Sequence, residues 1–182
     1  MKYLKLFENF LILEDNRELI QNLNKEGKAK TLNGIEFYVY PMNVLKDSDT
    51  TKLSGSKFKV KITEAVEIES GASNTLIIKP KLEVSDVKLS EDNNEENEFL
   101  QGDYGMLRNF DGSKPGEMKF IIIVRDSNGD GKMNELMCDY PNTSFVIDAN
   151  SDLIPALNKV FNTEFKLTPF EEDKRFVKFQ TK

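Results

Sequence analysis

Apolar residues recur at two different periods along this chain. Near the start, Tyr3, Leu4, Phe7, Phe10, Leu11 and Leu13 together recur at three- and four-residue spacing. That is the spacing of one helical face, and it predicts a helix over residues 2–24. Glu14-Asp15-Asn16 makes a polar break, after which Leu19, Ile20 and Leu23 continue the face. Asp15 or Asn16 is of the right type to cap a second helix there. From residue 33 the period falls to two. Asn33-Gly34 is a turn signal, followed by Ile35-Glu36-Phe37-Tyr38-Val39-Tyr40, a strand expected to end at Pro41. After a polar loop over 46–56, Phe58, Val60 and Ile62 alternate with Lys57, Lys59 and Lys61, as in a half-buried strand. The lysines read as a solvated face that also discourages edge pairing, or as a binding stripe. Residues 75–78 and 82–89 continue the β pattern, with Pro80 between them at an edge or bend.

The pattern then breaks. Residues 90–98 read Ser-Glu-Asp-Asn-Asn-Glu-Glu-Asn-Glu, a solvated loop without an apolar group. Residues 101–117 are irregular and rich in glycine, so a boundary between two lobes is expected near 90–117. Phe120 to Val124 is the longest apolar run; an acidic loop over 126–135 follows, and then a mixed segment, 133–140. That is strand, tight loop, returning strand. A strand is expected at 143–147 and another at 175–179. Between them Ser151 or Asp152 can cap a helix carrying Leu153, Ile154, Leu157, Val160 and Phe161, with Pro155 in its first turn, where proline is tolerated. The expected fold class is α+β: an N-terminal helix, a mostly antiparallel β-sheet or open barrel of about seven strands, and one helix in the C-terminal region. Residues 1–24 form the helix or a leader, and 25–182 a single β-rich domain.

Composition narrows the chemistry. The chain has 182 residues, a net charge of −6 and no histidine. Ser-His-Asp and Cys-His catalysis, and zinc sites that need histidine, are excluded within it. Its one cysteine, Cys138, allows no intramolecular disulfide. The acidic balance argues against a general DNA-binding surface. No apolar run approaches the ~20 residues that span a bilayer, and Glu8 and Asn9 interrupt the N-terminal apolar stretch too early for a secretory signal.

The loop after the long apolar run carries the most specific chemistry. Calcium takes six to eight oxygens from a chain that turns sharply. Asp126, Asn128 and Asp130 offer oxygens at loop positions one, three and five, and Gly131 at six permits the turn. Lys132 offers its carbonyl at seven, and Asn134 its amide oxygen at nine. Over these residues the chain resembles the EF-hand calcium loop, with Asn at nine as in dockerins. The resemblance implies Ca2+ held by Asp126, Asn128, Asp130, Lys132 and Asn134. Position twelve is Met137, where the family has a bidentate acid, so Glu135 at ten is left to close the site. The flanking segments read as β, so the helix-loop-helix fold does not carry over. A metal-free hairpin turn is the other reading, because Asn-Gly and Asp-Gly are favoured turn pairs.

The first fourteen residues carry a second resemblance. Met1-Lys2-Tyr3-Leu4-Lys5-Leu6-Phe7-Glu8-Asn9-Phe10 is similar to the capsid-targeting leaders of internal head proteins in large tailed phages of the T4-like group. Those leaders end in Ile/Leu-x-Glu, which Ile12-Leu13-Glu14 matches. The resemblance implies maturation cleavage after Glu14, although Asp15 stands where such sites carry a small residue. The alternative is an amphipathic helix whose Phe and Leu face the core.

Three function classes follow. The first is a non-enzymatic structural or packaged protein of a tailed-phage virion, with other virion proteins as partners, located in the particle or the host cytoplasm. The second is a calcium-stabilised β-rich binding module of cellular origin. The third is an enzyme using acidic pairs such as Glu171-Glu172 or Asp126 and Asp130, for which no organising motif is present. The alternation of basic and aromatic residues over Lys174–Lys182 fits a nucleic-acid surface less well than a closing strand with one wet face.

Overall fold

The computed structural model describes residues 17–44, 51–53, 55–64, 68–71, 75–91, 116–118, 121–130, 132–139, 145–165, 167–171 and 173–181. The leader with Ile12 and Glu14, most of the 90–117 boundary, and Gly131 lie outside the described residues.

The described chain opens with helix α1 (residues 17–25) and a 3-10 turn (Lys28–Leu32). The strands that follow are β1 (Glu36–Val44), β2 (Thr51–Leu53), β3 (Lys57–Glu64), β4 (Ile68–Ser70), β5 (Thr75–Ile78) and β6 (Lys81–Lys88). Then come β7 (Gly116–Met118), β8 (Ile121–Arg125), β9 (Glu135–Asp139) and β10 (Phe145–Asp148), helix α2 (Leu153–Phe161), β11 (Thr168–Pro169) and β12 (Phe176–Thr181). The fold is α+β and mostly antiparallel, as the periodicity implies. The strand count differs, with twelve described strands in place of about seven. Several of the additional ones (β2, β4, β7, β11) are two or three residues long, too short to show a period.

Ten strands follow one another in the order β4-β5-β8-β9-β12-β10-β1-β3-β6-β7, with β2 attached to β1 and β11 to β12. The described pairings are antiparallel except β9 with β12, which run parallel through Gln180↔Met137 and Thr181↔Cys138. β1 does not stop at Pro41. It pairs with β3 up to Val39 and with β2 from Met42, so proline, which has no N–H to give, sits where the strand changes partner.

Alternation decides what each strand buries. In β3, Phe58, Val60 and Ile62 are fully buried while the three lysines point outward. β10 is buried on both faces. Phe145 and Ile147 enter the main core, and Val146 joins a small cluster with Met42, Phe170 and Phe176 on the other side. Tyr40 packs on Phe176 there, ring centroids 4.7 Å apart, and its hydroxyl donates to Asp148 Oδ2 at 3.4 Å. Partial burial, followed by the neighbouring Asp148 carboxylate, raises the Tyr40 phenol above its usual range.

The main core takes Leu23 from α1, Ala29 and Leu32 from the 3-10 turn, and Leu153, Ile154, Leu157 and Val160 from α2. At the start of α2, Ser151 Oγ accepts from the Leu153 N–H at 3.3 Å, while Asp152 makes no side-chain cap bond. The helix ends at Asn162 in a left-handed conformation (φ 51°) that asparagine tolerates. Residues on both sides of 90–117 share this one core.

One polar side chain ties α1 to the sheet. Ile68 lies on the outermost strand of the sheet order, where backbone groups would stand open. Asn24 Nδ2 donates to the Ile68 carbonyl at 3.0 Å, and Asn24 Oδ1 accepts from the Ile68 N–H at 2.9 Å. The carboxamide thus does for Ile68 what another strand's peptide group would do. Ile68 is 2% exposed, so water would not readily replace these bonds. Asn24→Ala should cost about 1–3 kcal/mol, the range for orphaning buried polar groups. Chemical denaturation measures the loss, and faster hydrogen exchange at the Ile68 amide locates it.

Candidate functional site: the loop between β8 and β9

β8 and β9 pair in register from Ile121↔Asp139 to Arg125↔Glu135. Ile122 and Val124 are fully buried and Ile123 nearly so, which makes β8 a rigid base for the loop that follows. The Asn134 N–H donates to the Arg125 carbonyl at 3.0 Å and closes the turn. Met133 is buried in the core, and its carbonyl accepts from Thr163 Oγ1 at 2.8 Å, just beyond the end of α2. The loop is therefore anchored at its base by two neighbouring elements.

Asp126 is the one acidic side chain among the described buried residues, 7% exposed. Its Oδ1 accepts from the Gly129 N–H at 2.7 Å and the Asp130 N–H at 3.3 Å. A carboxylate that turns the chain back on itself in this way satisfies backbone donors that a tight loop would otherwise strand. Gly129 has φ +71°, which only glycine adopts at no steric cost.

The remaining polar groups form a continuous chain of hydrogen bonds. Asn134 Oδ1 accepts from the Ser127 N–H at 3.0 Å and from Ser127 Oγ at 2.9 Å. A backbone N–H can only donate, which fixes the orientation of the Asn134 carboxamide. Its Nδ2 donates to Asn128 Oδ1. Asn128 Nδ2 then donates to Asp130 Oδ2 at 3.1 Å, and Asp130 Oδ1 accepts from the Lys132 N–H at 2.9 Å. Glu135 sits on β9 opposite Arg125, with 3.8 Å between its carboxylate and the guanidinium nitrogen.

Asp126, Asn128, Asp130, Lys132 and Asn134 are thus brought into one network, while Glu135 is turned to a cross-strand cation. Asp126 and Asp130 suit a cation, since an ionised carboxylate has about four acceptor sites. Asn128 and Asn134 face each other in the described loop, so using both amide oxygens as ligands requires that bond to open. Among the described residues no three acidic side chains gather into a metal-holding group. The contributions of Ser127 and Thr163 were missed by motif spacing. Ser127 occupies an unspecified loop position, and Thr163 is thirty residues from its partner Met133.

The other charged stretches are engaged differently. Glu36 bridges Lys59 and Lys61 across β1 and β3. The hydrogen bond from Lys59 holds the Glu36 carboxyl below its usual range. Lys57 lies over the Tyr38 ring, 5.1 Å from its centroid. In the C-terminal stretch, Phe176 and Val177 are buried and Arg175 grips the exposed turn through Asp173. Glu171 is exposed, and Glu172 lies outside the described residues.

No protein-family model, curated protein or solved structure matches this chain.

Asp126→Ala should lower stability by about 1 kcal/mol, because two loop amides lose a part-buried acceptor. Asp126→Asn keeps an Oδ1 acceptor and should cost less. Denaturant midpoints at equal slope distinguish the two.

Proposed function

We propose that this chain is a non-enzymatic structural or packaged protein of a tailed-phage particle, with a β8–β9 loop that takes calcium weakly as a structural ion. The observation that carries the first part is the leader-like stretch Met1–Glu14, with its Lys2, its central Phe7 and its Ile12-Leu13-Glu14 ending. The partners are other virion proteins, and the leader is the addressing element, cleaved after Glu14 on assembly.

The described core supports a test of this division. Its buried residues run from Leu23 to Val177, so deleting residues 1–14 leaves all of them in the chain. The truncated protein should keep its unfolding midpoint and be absent from purified particles by mass spectrometry. Incorporation at the wild-type level would defeat the leader assignment. A truncated chain that cannot fold would instead place Phe7, Phe10 and Leu11 in the core.

The calcium part rests on Asp126 and Asp130 sharing one tight loop with the Lys132 backbone. Nearby like charges repel, and a divalent cation offsets that repulsion. Affinity should be weak, about 10⁻⁴ to 10⁻³ M, the range of extracellular modules. Two features lower it: no acid stands at Met137, and binding competes with the Asn128–Asn134 bond. Calcium at about ten times the dissociation constant should add roughly 1.4 kcal/mol by mass action. For a chain of this size that raises the thermal midpoint by about 3–6 °C. Thermal scans with calcium against chelator, on wild type and Asp130→Ala, check it. A wild-type midpoint indifferent to calcium would leave the loop a metal-free turn.

The second reading, a calcium-stabilised binding module of cellular origin, shares the loop and drops the leader. It gains ground if the calcium shift is found and particle incorporation is not.

A further inference from the structure

We infer that the β8–β9 loop is a site of spontaneous covalent modification, in which Asn128 is converted to aspartate or isoaspartate through a cyclic imide with Gly129. This requires neither a bound cation nor a virion. It stands on how the loop's hydrogen bonds fall around one Asn-Gly peptide.

In such a cyclisation the backbone nitrogen after the asparagine attacks the side-chain carbonyl carbon. Three groups must then be managed: the proton on the attacking nitrogen, the charge developing on the carbonyl oxygen, and the departing amine. Each has a partner here. The Gly129 N–H already points at Asp126 Oδ1, 2.7 Å away, a carboxylate able to receive the proton. Asn128 Oδ1, where charge develops, accepts from Asn134 Nδ2. Asn128 Nδ2, the leaving nitrogen, lies 3.1 Å from Asp130 Oδ2. Glycine places no side chain over the attacking atom, and a Cβ built at Gly129 meets nothing within 4 Å. Asn128, Gly129 and Asp130 are exposed, so water reaches the product imide.

The reaction balances with water as the only co-reactant. The Gly129 N–Asn128 Cγ bond forms and the Cγ–Nδ2 bond breaks. Asp126 takes the proton from Gly129 N and returns it to solvent, while water at the exposed Asn128 side chain protonates the departing nitrogen, which leaves as ammonia. Water then opens either imide carbonyl, giving aspartate or isoaspartate. The outcome is one more negative charge in the loop. The Nδ2 donor to Asp130 is replaced by a carboxylate that repels it, so the chain of hydrogen bonds breaks there.

The chain contains its own control. Asn33-Gly34 is the same dipeptide, Gly34 also has positive φ (+85°), and a Cβ there also meets nothing within 4 Å. One difference on which the inference turns is the acceptor of the glycine N–H, which at Gly34 is the Ile62 carbonyl at 2.8 Å, a group that cannot take a proton.

The test is incubation of the full-length chain at neutral pH with peptide mapping by mass spectrometry and an assay of released ammonia. Asn128 should convert about tenfold faster than Asn33, below the ~10² a base matched to its proton supplies. Asp126→Asn should bring Asn128 down to the Asn33 rate and leave Asn33 unchanged, which also reports that the fold is intact. Asn134→Leu should slow Asn128 with the base still in place. Conversion of Asn33 as fast as Asn128 in the wild-type chain would overturn the inference without need of any variant. An Asn128 rate indifferent to Asp126→Asn would overturn it as well.

Discussion

The fold depends on where β12 lies. On one side it pairs antiparallel with β10 over Phe176–Phe179. On the other it meets β11 and then, at Gln180 and Thr181, runs parallel to β9. In the described sheet order it is the strand that joins β4-β5-β8-β9 to β10-β1-β3-β6-β7. Two residue pairs of parallel ladder are a weak hinge by themselves. The join holds because both halves fill one core. Ile68, Leu76, Ile78, Ile122 and Val124 come from the first half, and Phe37, Val39, Phe58, Val60 and Phe145 from the second. Val177 of β12 enters this core while Phe176 covers the opposite face. Its pairings join residues some thirty to forty positions apart, so they close long loops and favour slow folding.

That dependence bears on the β8–β9 loop. The loop projects from the half of the sheet that β12 joins on, and its base is held from outside the hairpin by Thr163 and by burial of Met133. An isolated hairpin with the same turn residues would lack these anchors. The loop's inner chain of hydrogen bonds, from Ser127 through Asn134 and Asn128 to Asp130, spends polar groups on one another. The calcium proposal and the imide proposal therefore both turn on what Asn128 touches.

Charge elsewhere on the sheet is local and mutual. Lys59 and Lys61 answer Glu36, Lys81 answers Glu64, and Lys79 answers Glu69. Exposed pairs of this kind contribute little to stability. They leave the outward face of β1 and β3 with mixed charge, which offers no uniform attraction to a polyanion.

Periodicity by itself determined the class of this protein and the place of most of its longer elements. Period two over Phe58–Ile62 and period near 3.6 over Leu153–Phe161 are written in single side chains, because each reports only whether it faces water. The turn residues of the 126–135 loop were legible for the same local reason, since Asp, Asn and Gly bend a chain through their own bonds. Tertiary structure alone decided the rest. The Asn24 bond to Ile68 and the Thr163 bond to Met133 join residues far apart in the chain, and no local pattern marks them. The turning of Glu135 toward Arg125 followed from strand register, which is set by the whole β8–β9 pairing. The central position of β12 followed from the core it had to share, since a strand's neighbours are chosen by the surfaces left to bury and not by its own residues.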